Sequence, residues 1–168
     1  MSAGTQMQVV GHHLDVQAVA ASNADKDAFA RSAFNRYYYS AFLTIREMLS
    51  KMDPAWAGLG HASYPDILTG NIRKSLKRAR RRASKNDDDD LVEKIDKAVR
   101  SIHELTSIIR TAYAVRVIAD YQPEEVICFT NAGRFTLRSV SATDAYDWES
   151  TSRAHCGSVY QAWSEVHG

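Results

Sequence analysis

Residues 91–121 read LVEKIDKAVRSIHELTSIIRTAYAVRVIADY, and this stretch decides the fold class. Leu91, Ile95, Val99, Ile102, Leu105, Ile109, Ala112, Tyr113 and Ala119 keep helical spacing throughout. A period of 3.6 gathers such positions on one face, so the spacing predicts one long amphipathic helix. Asn86 and the acidic run Asp87–Asp90 precede it and suit a loop whose last carboxylates cap the helix. Gln122-Pro123 closes it.

The same pattern extends outward in both directions. Between Ala24 and Met52, Phe34, Tyr38, Phe42, Ile45, Leu49 and Met52 share a helical face, with Ser22 or Asn23 as the cap. Asp53-Pro54 ends that helix. Pro65 opens another, whose stripe is Ile67, Leu68, Ile72, Leu76, Ala79 and Ala83. A closing helix, capped by Ser141 or Thr143, carries Ala145, Trp148, Ser152, Cys156, Val159, Trp163 and Val166 on one side. A short helix is expected near Leu14–Ala21. Within 126–140 the pattern changes. Val126–Phe129, the turn Asn131-Ala132-Gly133, then Phe135, Leu137 and Val140 read as a β-hairpin, with a broken helix as the alternative. The expected fold class is all-α, an antiparallel bundle of four to five helices forming a single domain over 1–168, its core within 24–165.

Composition narrows the function classes. The chain has 168 residues, 45% of them hydrophobic and 24% charged, as in ordinary globular proteins. The net charge of +1 gives no global attraction to nucleic acid, so any must be local. Local clustering is present. Arg73, Lys74, Lys77, Arg78, Arg80, Arg81, Arg82 and Lys85 put eight of the 21 basic residues on one helical segment. The functional reading is phosphate or RNA contact, with Arg73, Lys77, Arg78 and Arg81 foremost. The plainer one is neutralisation by Asp87–Asp90 or by a partner protein, and no aromatic residue interleaves the run. Cys128 and Cys156 lack the spacing of a disulfide scaffold or a zinc site, and buried or half-buried thiols are expected. No metal and no cofactor is expected, because neither a phosphate-cradling glycine loop nor a metal-binding helix occurs. The first residues lack a basic region followed by an apolar core, and no apolar run has membrane-spanning length, so a cytoplasmic protein without a membrane role is expected.

Two strings carry a family resemblance. Residues 31–42, RSAFNRYYYSAF, place an arginine ahead of paired tyrosines and small residues, and residues 115–121, VRVIADY, follow at the end of the long helix. With Gly60-His61 in the first interhelical loop, their order resembles bacterial HEPN-domain proteins over roughly residues 24–165. The resemblance implies a bundle that dimerises, as a homodimer or hetero-oligomer, and brings the motif of the long helix into a cleft. It also implies an RNA or nucleotide ligand, and a partner protein from a toxin–antitoxin or phage-defence operon. Many members are metal-independent ribonucleases that use Arg-x(4–6)-His. Here Val117, Ile118, Ala119, Asp120 and Tyr121 follow Arg116, and Arg100 and His103 stand too close together. A catalytically degenerate subunit is therefore expected.

The alternatives are a ribonuclease with a non-standard site, Arg116, Asp120 and Tyr121, and a helical interaction module using the Trp148 and Trp163 face or the basic stripe. Arg116 and Asp120, four apart, share a helix face and suit an ion pair, whether structural or leaving Arg116 to hold phosphate beside Tyr121. The resemblance, through the way the family packs these two helices together, implies that Arg36 joins Arg116 in a shared pocket. Tyr38 belongs to the apolar stripe, whereas Tyr37 or Tyr39 is expected to face a cleft or a partner subunit, and His61 is kept as the one histidine the resemblance singles out.

Overall fold

The computed structural model describes residues 1–168, most of them in helices. In chain order these are α1 (Ala3–Ala20), α2 (Asn23–Met52), a single turn α3 (Tyr64–Asp66), α4 (Arg73–Lys85), α5 (Asp89–Tyr121) and α6 (Ala142–His167). Three short strands, β1 (Ile127–Phe129), β2 (Phe135–Leu137) and β3 (Val140–Ser141), form an antiparallel sheet in that order. No helix is long and apolar enough to cross a membrane. The chain divides into two compact units, one of Met1–Thr44 with Ile109–Thr151, the other of Ile45–Ile108 with Ser152–Gly168.

In the first unit, α1 departs most from the sequence reading. It is a full helix of 18 residues where only a short one near Leu14–Ala21 was expected. Its buried positions are Gly4, Gly11 and Ala18, seven apart, while Val9 and Val16 stay exposed. A Cβ on Gly11 would lie 2.7 Å from the Tyr37 ring, so α1 sits against α2 at a distance only glycine permits. Near Gly4, Glu149 is buried and accepts from the Thr44 hydroxyl at 3.1 Å.

The hairpin expected over 126–140 is present. Ile127 pairs with Leu137 and Phe129 with Phe135, across a turn where Gly133 takes φ +68°. Val140 does not continue β2. Arg138 takes φ +53°, and the chain folds back so that Val140 pairs with Leu137 as β3. Phe135 is fully buried with its ring edge-on to Phe34, which fixes the sheet to α2.

The second unit is built on the stripe beginning at Pro65. Tyr64, Leu68, Ile72 and Leu76 are buried with Ile95 and Ile102 of α5. Residues Ile67–Ile72 form a π-helical stretch that leads into α4, so the helix opened by Pro65 has a wide turn before its regular part. Asp88 accepts from the Leu91 N–H at 3.1 Å and caps α5, as the acidic run suggested. Along α5 itself, Ala98, Val115 and Ile118 are buried, whereas Tyr113 is 42% exposed. Cys156 is buried, but Cys128 is exposed on β1, against the expectation of two sheltered thiols.

Candidate nucleic-acid interface

Two groups of cations were singled out by sequence, and each belongs to one unit. In the first, α2 and α5 form a hollow of about 420 Å³ lined by Arg31, Ser32, Asn35, Arg36 and Asp120. Arg36 is exposed there and bonds to nothing. Asn35 Nδ2 donates to both oxygens of Asp120, at 2.8 and 3.0 Å. Arg116 Nε lies 2.8 Å from Asp120 Oδ2, as the four-residue spacing suggested. The Nε–H does not point along that line, so the contact is coulombic without being a hydrogen bond. The Arg116 guanidinium also lies over the Tyr121 ring, 5.5 Å from its centre, and Tyr121 is 68% exposed. Arg116, Asp120 and Tyr121 thus form one cluster. Arg36 shares the hollow with Asp120, and Arg116 is not among its lining residues.

Tyr37 is a correction. It is fully buried rather than facing a cleft, and its hydroxyl donates to Asp15 of α1 at 2.9 Å. Burial, with the Asp15 charge second, pushes that hydroxyl well above the ordinary tyrosine range. Tyr37 holds α1 in place and has no surface to offer a ligand. Trp148 is buried as well.

Arg31 opens the string of residues 31–42, and the structure gives it a role. Its guanidinium donates to the carbonyls of Ala119, Gln122 and Glu125 at the end of α5, and its Nε pairs with Asp27. The last carbonyls of a helix have no partner within it, so Arg31 serves as a side-chain cap. No spacing rule in the sequence links residue 31 to residue 122, and this role was missed for that reason.

In the second unit, α4 carries the other group. Arg73, Lys77, Arg81 and Lys85 repeat every fourth residue, and Lys74, Arg78 and Arg82 do the same one step round. At about 100° per residue the seven sweep roughly half the circumference, opposite buried Leu76, Ala79 and Ala83. All seven are exposed, and none has an ion pair or hydrogen bond. Arg80, on the flank, makes two bonds to Asp96 of α5, at 2.6 and 2.9 Å. Hydrogen bonding from Arg80 holds the Asp96 carboxyl below the usual range. The acidic run does not neutralise the helix. Asp88 is the cap and Asp90 pairs with Lys94 at 2.7 Å.

His61 opens a short 3-10 turn in the second unit and is partly buried. No three His, Cys, Asp or Glu side chains converge in a way that would hold a metal ion. Comparison with family models, curated proteins and solved structures returns no match.

Proposed function

We propose that this chain is a HEPN-like helical bundle that binds RNA or nucleotides without cleaving them, as a dimerising subunit of a toxin–antitoxin or phage-defence assembly. The observation that carries the reading is the half-circumference of seven unpaired cations on α4. Like charges at i,i+4 cost about 0.2–0.5 kcal/mol each on a helix surface. Here the pairs 73–77, 77–81, 81–85, 74–78 and 78–82 are all of that kind. A polyanion lying along the face removes that repulsion and releases its own counterions.

The absence of cleavage rests on chemistry. Metal-free RNA cleavage needs a group that takes the 2′-hydroxyl proton, usually histidine, and residues 117–121 contain none. Asp120 is already engaged by Asn35 and Arg116. The Arg116 guanidinium beside exposed Tyr121 is the second candidate contact for phosphate and base.

Three measurements test the reading. Purified protein with labelled RNA in EDTA is expected to retard the RNA and leave it intact. Cleavage that disappears in Arg116→Ala would establish instead the ribonuclease built on Arg116, Asp120 and Tyr121. Lys77→Glu with Arg81→Glu is expected to abolish retardation, and unchanged retardation overturns the reading. Sedimentation is expected to give a dimer, and a strict monomer removes the dimeric part.

A further inference from the structure

The basic segment has no aromatic residue within it, but the fold supplies aromatic surface beside it. His167, at the end of α6, hydrogen-bonds through Nε2 to the Ser75 hydroxyl of α4 at 3.0 Å. Its ring packs on Trp163, with centres 4.0 Å apart and planes inclined by 40°. Trp163 in turn meets Trp56 at 5.9 Å. Both tryptophans are partly exposed and His167 is exposed. Ser75 stands three residues before Arg78, and residues three apart are neighbours on a helix surface. The ring row therefore adjoins the Lys74–Arg78–Arg82 edge of the cation face. All these residues belong to the second unit.

We infer that this unit binds single-stranded RNA, with the phosphate chain along the cations of α4 and bases stacked on the Trp163–His167 edge. The inference rests on the RNA reading above and specifies its ligand. Charge alone attracts any polyanion. A ring row beside it rewards only a strand whose bases are free to leave the backbone, because paired bases are already stacked. Polyglutamate supplies the charge but no rings to stack. Duplex RNA supplies phosphates but keeps its base faces covered. The charged neighbour on α6, Glu165, pairs with Lys94 at 3.1 Å, an ammonium that it shares with Asp90.

The test uses the full chain with three probes: a short single-stranded RNA, the corresponding duplex, and polyglutamate. Tryptophan emission and salt dependence are read together. The expected result is tightest binding of the single strand, with quenching of emission. His167→Ala and Trp163→Leu should each weaken it about tenfold, the loss of one stacked base. Their salt slope should be unchanged, whereas Arg78→Ala should lower it by about 0.7, the value for one phosphate contact on a single strand. His167 is exposed at a helix end, so its variant keeps the fold even if Trp163→Leu does not. Equal binding of single strand and duplex, with both aromatic variants like the parent, overturns this inference and leaves the RNA reading standing. Polyglutamate bound as tightly as RNA overturns both, as does no binding of any nucleic acid at low salt.

Discussion

The arginines at the α2–α5 contact and those on α4 are the same residue type in opposite circumstances. Arg31 and Arg116 are mostly covered, with side-chain exposures of 12% and 19%, and each is committed to partners within the chain. Arg73, Arg78, Arg81 and Arg82 are exposed and committed to none. An arginine that caps a helix is spent on the fold, and one that holds a carboxylate is less free for a ligand. One left unpaired among like charges costs stability and is available to a ligand. Of the two strings that resemble a known family, the first thus contributes chiefly a structural arginine. The more available cationic surface lies on a helix that neither string includes.

Removing a committed arginine should break the fold side of this contrast. Arg31→Ala strips the cap from α5 and takes the guanidinium donor from the Ala119 and Glu125 carbonyls, a loss of about 2–3 kcal/mol in urea unfolding. RNA binding by the variant that remains folded should be unaltered. Arg116→Ala should cost less, about 1 kcal/mol, because Asn35 still satisfies Asp120. On α4 the sign should reverse. Lys77→Glu turns repulsive neighbours into attractive ones and should raise stability by about 0.5–1 kcal/mol at low salt, fading as salt is added. A variant more stable than its parent yet weaker for RNA is the signature of a surface kept for binding.

The smallest effect concerns the one basic group of α4 that is paired. Asp96 has its folded value depressed by Arg80, so between that value and the unfolded one the unfolded chain binds more protons. The pair therefore contributes fully above about pH 4 and its contribution fades as pH falls through the depressed value. Asp96→Asn should flatten that part of the acid unfolding curve. No difference between the two curves would mean that the exposed pair adds nothing.

How far the sequence was legible follows the same physics. Helices α2, α5 and α6 were readable because burial there tracks hydrophobicity, as at Phe34, Ile102 and Val159. The hairpin was readable from its Gly133 turn. Helix α1 was read short because it inverts the rule. Its glycines are inside and its valines outside, since close approach to Tyr37, not apolar area, decides which face is buried. Pairing of Arg116 with Asp120 was legible as a local spacing. The cap by Arg31 and the ring row beside α4 were not, because each joins residues about ninety positions apart. For the same reason Tyr37 was misplaced. Three consecutive tyrosines cover most of a helix; Tyr38 is sealed with the apolar stripe, and only the position of α1 seals Tyr37 as well.

The most direct measurement is the slope of log affinity against log salt for single-stranded RNA, compared between the parent chain and Lys77→Glu with Arg81→Glu. A steep negative slope in the parent, shallower by at least about 1.4 in the variant, is expected from two lost phosphate contacts. Equal slopes for the two proteins would contradict the assignment of α4 as the surface that meets the ligand.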